Sequence, residues 1–512
     1  MTSAPLFSPR PRAMRRRPVA IFDADLDPAQ LGAVRAPPGG ATLVLGEAGH
    51  GKTTVAVHRL AHLWKTGESR AAFIVPTEGL ARLVQSLLRK LGVDVDVETY
   101  DAWAAKQARR TFRDVPRRES ELTPPQVSAL KRHPAIRVAL DELASREAAI
   151  IDDDVDAPRI RSRAYARRAD LQHLFGDRVL LERVVAESQT LPSRVIDDVL
   201  ERTRVQFSRT AEREFSHVTD RARLVAVDRR AMDDGTANAN ARTIDVEDYA
   251  VLFELDRLRA SHLRVAATAP PPFDVIVVDE AQELAPLELA LIGRSLAPDG
   301  TLVVAGDANQ QVDPTTSFVG WEATMRALGH AEHANVRLDV GYRCPPAIAA
   351  FARAILGESR AGDERVEAGV APSCVAFDDE KALAARIADE ARTLQRRDPR
   401  ASIVVICRTP LVARRFADRV RGEVPTRLVF DGRFLARGPV QVTTIDETRG
   451  LEFDFVVVPD ATAAEYPDTP ASRRALYVAV TRARHQVLLA HTGERTPIVP
   501  ERFARVRAMF AP

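Results

Sequence analysis

The chain has 512 residues, 45% of them hydrophobic and 28% charged, with a formal net charge of only +2. That balance excludes a disordered, fibrous or polycationic protein, and the length suits about three domains or subdomains with full cores. No run approaches the roughly 18 apolar residues of a membrane span, the arginine-rich start lacks the apolar stretch of a secretory signal, and Cys344, Cys374 and Cys407 are too scattered for disulfides or structural zinc, which points to a reducing compartment.

Residues 1–18, with Pro9-Arg10-Pro11-Arg12 and Arg15-Arg16-Arg17-Pro18, read as a disordered basic tail. Over 19–103, short apolar runs (Leu43-Val44-Leu45, Ala72-Phe73-Ile74-Val75) alternate with helical patterns such as Leu80 to Leu91, the texture of βαβ units on a parallel sheet. Over 104–271 strand-like runs vanish and apolar residues take helical spacing (Leu171, Leu174, Leu180, Leu181, Val184, Val185), so a mainly helical insertion is expected. Asp152-Asp153-Asp154-Val155-Asp156 and Asp233 to Arg242 read as loops within it. The first texture returns over 272–335, at Val275 to Val278 and Leu302 to Ala305. It continues over 336–512 at Ser402 to Ile406, Val440 to Val442, Phe455 to Val458 and Val487 to Leu489. The expected fold class is α/β: two doubly wound parallel-sheet lobes, the first interrupted by the helical insertion.

Five motifs carry chemistry. Gly46-Glu47-Ala48-Gly49-His50-Gly51-Lys52-Thr53-Thr54 follows an apolar strand, precedes a helix expected from Thr53 to Trp64, and matches G-x-x-x-x-G-K-[ST] in the context a phosphate-binding loop needs. Its backbone N–H groups and the helix N-terminus would cradle a triphosphate, Lys52 would reach the β- and γ-phosphates, and the Thr53 hydroxyl would hold Mg²⁺. The chain has only six lysines, so one placed here by chance is improbable. Val277-Val278-Asp279-Glu280-Ala281-Gln282 sets two carboxylates at the C-terminal end of a buried strand, where open α/β sheets bind ligands. Asp279 would hold Mg²⁺ and Glu280 would act as the base for the attacking water. In Gly306-Asp307-Ala308-Asn309-Gln310-Gln311, Gln310 is a candidate γ-phosphate contact, a polar turn being the alternative. Arg343 (Gly341-Tyr342-Arg343-Cys344-Pro345) and Arg482 (Tyr477 to Arg484), both in the second lobe, are candidate arginine fingers that would neutralise transition-state charge and tie lobe closure to intact nucleotide.

In order and spacing this set resembles the superfamily-1 helicases of the UvrD/Rep type, and is most similar to the helicase IV/HelD-like branch. The resemblance rests on Gln30 in Leu26-Asp27-Pro28-Ala29-Gln30, the phosphate loop, Asp279 to Gln282, Gly306 to Gln310, Tyr342-Arg343, Arg449-Gly450-Leu451-Glu452-Phe453 and Tyr477 to Ala483. It implies a P-loop NTPase with two RecA-like lobes that hydrolyses ATP with Mg²⁺ between them. It also implies 3′-to-5′ translocation on single-stranded DNA or partial duplex, with strand separation, at a cytoplasmic, nucleoid-associated location. Carried over by position, Gln30 would read the adenine edge, Tyr342 would stack on the base, Glu452 would bind the ribose and Gly450 would lie near the phosphates. Strand contacts would fall on Thr77, Thr99, Tyr100, Trp103, Trp321 and Arg449, with Tyr100 and Trp321 either stacking platforms or core residues.

Two departures stand out. The stretch between Arg343 and Gly450 is short, so the second-lobe insertion of larger relatives is expected to be reduced. Asp446-Glu447-Thr448-Arg449 is acidic where many relatives have a His-Ser-Ala-Lys-like stretch. Some HelD-like members act on RNA polymerase, which leaves an ATPase that remodels or releases RNA polymerase, or a complex with a repair or replication protein, as the alternative. Those members carry a long helical arm ahead of the phosphate loop, and Lys52 lies too near the start of this chain for one. No membrane role and no nuclease constellation are expected.

Overall fold

The computed structural model describes residues 26–505 apart from 68–69, 153–165, 209–210, 213–216, 219–223, 226–235, 317, 342–343, 361–362 and 364–371. The basic tail, Asp153 to Asp156, the start of the polar stretch from Asp233, and the site candidates Tyr342 and Arg343 lie outside the described residues.

The first lobe is built on β1 (Gly40–Gly46), β2 (Ala71–Val75) and β3 (Val97–Thr99). After the antiparallel pair β4 (Ala211–Glu212) and β5 (Thr236–Ala237) it resumes with β6 (Phe273–Val278), β7 (Leu296–Gly306) and β8 (Ala334–Leu338). The sheet order is β3-β2-β6-β7-β1-β8, with every pairing parallel. Side chains alternate across it because the strand period is two. Val44, Phe73, Val75, Val275, Val277 and Val303 face the helices Lys52–Thr66 and Glu78–Lys90, whereas Leu43, Ile74, Ile276, Val278, Leu302 and Val304 enter the opposite core. Strands buried on both faces explain why the sequence shows unbroken apolar runs there.

That opposite core is shared with the segment between β3 and β6, which supplies the helices Tyr100–Thr111, Pro125–Arg132, Ile136–Asp152, Arg168–Gly176, Arg178–Ser188, Val195–Gln206 and Glu247–Leu263. The last is buried continuously from Asp248 to Asp256, so it runs through the interior instead of lying on a surface. Arg132 fastens this segment to the first lobe: its Nε and Nη2 donate to Glu288 (2.8 and 3.1 Å) and its Nη1 to Asp313 Oδ2 (2.6 Å) and Thr315 Oγ1 (2.8 Å).

The second lobe comprises β9 (Ser373–Ala376), β10 (Ile403–Cys407), β11 (Thr426–Leu428), β12 (Val440–Thr444), β13 (Phe453–Val458), β14 (Ala483–His491) and β15 (Ala504–Arg505). Their order is β11-β12-β10-β13-β14-β9-β15, again all parallel. The helices Pro346–Leu356 and Pro470–Thr481 pack on one face, Glu380–Arg397 and Pro410–Arg421 on the other. Among the described residues every α-helix of this lobe packs onto its sheet. No described helix of the chain is long and apolar enough to cross a membrane.

Candidate active site

β1 delivers the phosphate loop to the start of the helix Lys52–Thr66, and Gly51 makes the turn with φ +87°. A Cβ at Gly51 would be strained there and would come within 2.6 Å of Gln30 Nε2, so glycine serves both the left-handed turn and the close approach of Gln30. Gln30 belongs to the capping box of the helix Pro28–Arg35 and donates from Nε2 to the His50 carbonyl at 3.2 Å. His50 Nδ1 pairs with the Leu338 carbonyl at 2.6 Å. Lys52, 6% exposed, donates its ammonium to the carbonyls of Gly46 (2.9 Å) and Glu47 (3.1 Å). A buried cation held by neutral carbonyls is a favourable partner for an anion.

β6 carries Asp279 and Glu280 to the same edge of the sheet. Thr53 Oγ1 donates to Asp279 Oδ2 at 2.7 Å. Burial and the neighbouring Glu280 carboxylate push the Asp279 pKa up. The negative charge of Asp279 is thus under-compensated, and beside the Thr53 hydroxyl it forms an oxygen donor set that fits a cation such as Mg²⁺. Glu280 has φ 54°, a conformation that costs about 1–3 kcal/mol in a residue other than glycine and is kept at functional sites. Its Oε2 accepts from Gln282 Nε2 at 2.7 Å, and Gln282 Oε1 accepts from the Asp307 N–H at 3.2 Å.

The second lobe supplies the facing wall. The helix Pro470–Thr481, capped by Thr469, ends at Arg482. Arg482 is 4% exposed and donates from Nη2 to Gln310 Oε1 at 2.6 Å, while Gln310 Nε2 donates to Asp307 Oδ2 at 2.9 Å. Tyr477, on the same helix, accepts the Ala48 N–H and donates to Asp307 Oδ2, both at 3.4 Å. Arg474 Nε donates to the Gln311 carbonyl at 2.8 Å. The phosphate loop, the acidic pair, Gln310 and Arg482 therefore meet in one polar cluster between the lobes. Glu452 pairs with Arg484 at 3.2 Å, and Gly450 lies against Leu80.

The strand-contact candidates fare differently. Thr77 and Thr99 cap helices, accepting the N–H groups of Leu80 and Ala102. Tyr100 and Trp103 are 2% and 0% exposed in the core beneath the first sheet, which matches the core alternative for Tyr100 and corrects the strand contact expected of Trp103: neither ring has a face open to a base. Trp321 is half-buried, edge-on to Phe318 with centroids 4.9 Å apart. Arg449 is largely buried and pairs with Glu283 of the first lobe at 3.3 Å and with Asp446 of its own. Tyr477, Arg474 and Glu283 had no role assigned from the sequence. The available signal was the i,i+3 spacing of Arg474 and Tyr477 on the helix that leads to Arg482.

The profile of the UvrD/REP helicase N-terminal domain matches residues 26–312, and that of the UvrD-like helicase C-terminal domain matches 439–490. Among solved structures, the C-terminal domain of a possible DNA helicase from Lactobacillus plantarum WCFS1 is 22% identical, with 33% of this chain and 99% of that one covered at a TM-score of 0.28. No curated protein sequence matches. With its phosphate loop and acidic pair inside the matched span, and its sheet order that of two parallel lobes, this chain belongs to the UvrD/REP helicase family.

Proposed function

We propose that the protein is an ATP-dependent translocase that moves 3′ to 5′ on single-stranded DNA and separates strands, with ATP turned over between the two lobes. What supports this most is the chain of contacts Arg482–Gln310–Asp307–Tyr477–Ala48, which ties the second lobe to the phosphate loop through groups that a γ-phosphate would rearrange. In this reading Lys52 and the loop N–H groups bind the triphosphate and Gln30 reads the base. Glu280 takes the proton of the attacking water, and Arg482, with Arg343, neutralises charge leaving with the phosphate. Mg²⁺ at Thr53 and Asp279 would neutralise the β- and γ-phosphate oxygens. Residues 104–271 act as the insertion of the first lobe, whose two parts are 19–103 and 272–335, and residues 336–512 form the second lobe with a reduced insertion. Thr77, Thr99, Trp321 and Arg449 remain the proposed strand contacts.

A second reading, a HelD-like ATPase that remodels RNA polymerase or another protein–nucleic acid complex with little unwinding, is favoured by the burial of Tyr100 and Trp103 and by the acidic Asp446-Glu447. ATPase rates with and without single-stranded DNA, alongside displacement from 3′- and 5′-tailed duplexes, separate the two. Stimulation with displacement from the 3′-tailed duplex supports the first. Turnover indifferent to DNA overturns it.

A further inference from the structure

The phosphate loop contains one acid, Glu47, directly after its first glycine. A carboxylate there opposes the purpose of the loop, since every nucleotide brings further negative charge to the same place. Its side chain turns outward to the second lobe. Arg353, on the helix Pro346–Leu356, places Nη1 3.4 Å from Glu47 Oε2, and Arg360 Nη2 pairs with Glu47 Oε1. Asp363 holds both arginines in place: it accepts Arg353 Nε at 3.0 Å and the Arg360 N–H at 2.8 Å. Beside them Asn309, next to Gln310, donates to Glu358 at 3.3 Å. Two guanidinium groups are thus brought to the mouth of a phosphate site, where planar, bidentate donors suit phosphate oxygens as well as they suit a carboxylate.

We propose that Glu47 is an internal stand-in for nucleotide phosphate: its carboxylate holds Arg353 and Arg360 against the phosphate loop, and an incoming triphosphate recruits the same arginines by displacing it. The inference rests on the ATP site proposed above. It makes Glu47 a built-in competitor, so that the second lobe stays docked between turnovers while nucleotide affinity is kept moderate.

The test is a double-mutant cycle on ATP and ADP affinity, read with a fluorescent nucleotide at low and high salt. E47Q should tighten binding roughly 3- to 10-fold at low salt, with a smaller gain at high salt as the lost charge is screened. In an R353A/R360A background the gain from E47Q should shrink, because no arginines remain to be released. If the pair fails to fold, the exposed Arg360→Ala alone carries the cycle. An equal gain in both backgrounds reduces Glu47 to simple repulsion and overturns the stand-in, as does E47Q leaving affinity unchanged or weaker. A wild-type protein that binds no ATP would instead sink the site itself, an outcome distinct from either.

Discussion

The two ends of the seam between the lobes are made of different material. At the nucleotide end, long polar side chains reach across: Arg482 to Gln310, Tyr477 to Asp307, Arg474 to the Gln311 carbonyl. At the other end, beside Thr77, glycine backbone meets backbone and a leucine side chain. A Cβ added to Gly432, whose φ is +62°, would lie 2.4 Å from the Gly79 nitrogen, and one added to Gly450 would lie 2.6 Å from a Leu80 methyl. Polar side chains can exchange partners when a phosphate arrives or leaves. A glycine–glycine contact has no slack. The first end is suited to switching, the second to fixing how closely the lobes approach.

If the polar end is the switch, its largest sensitivity lies at Arg482. Arg482→Ala should lower the maximal ATP turnover by about 10³–10⁵-fold while nucleotide still binds. A loss of less than tenfold would show that the arginine only packs the helix end. Glu280→Gln should cost about 10²–10⁴-fold in turnover, measured as phosphate release, again with nucleotide binding retained. Normal hydrolysis by that variant would remove Glu280 from the proton path.

If the glycine end sets the approach, Gly432→Val should leave nucleotide binding near wild type but cut DNA stimulation of turnover by roughly 10-fold, through a coupling of the usual size. Unchanged stimulation would mean that the seam tolerates a wider gap.

The smallest effect concerns pH. Burial and Glu280 raise the Asp279 pKa, so the folded protein keeps a proton that the unfolded chain loses once pH passes about 4. Stability from this group is therefore fully present below that pH, declines as pH rises toward the folded-state pKa, and stays lost above it. Asp279→Asn cannot titrate. Without added metal its Tm should gain on wild type by a few degrees between about pH 5 and about pH 8. Melting curves that stay parallel across that range would place the strain elsewhere.

The legible parts of this chain were those whose chemistry is local. The phosphate loop and Asp279-Glu280 each need only a strand, a turn and the right residues in sequence, and all three signals are contiguous. β8 and β11 were not legible. They lie at or near sheet edges, are half-exposed, and carry polar residues such as Asn335, Arg337 and Arg427 in place of an apolar run. The role of Tyr477 was hidden because its partners, Ala48 and Asp307, lie far away along the chain, and no periodicity reports a contact between lobes. Tyr100 and Trp103 were ambiguous for a different reason: position relative to the strands suited a strand contact, with a core position as the alternative. The stripe they begin, with Ala104, Gln107 and Ala108, has the helical spacing of a buried face.

Trp103, Leu130, Ile136 and Phe253 share one continuous core with Ile74, Ile276 and Val304 of the first sheet. The helical segment is therefore no detachable cassette. Excising it to leave a minimal two-lobe motor would strip one whole face from the sheet that presents Asp279 and Glu280, and the remnant should aggregate before its catalysis could be assayed. Grafting a relative's segment in its place would require that apolar face to be matched, together with Glu288 and Asp313 for whatever replaces Arg132.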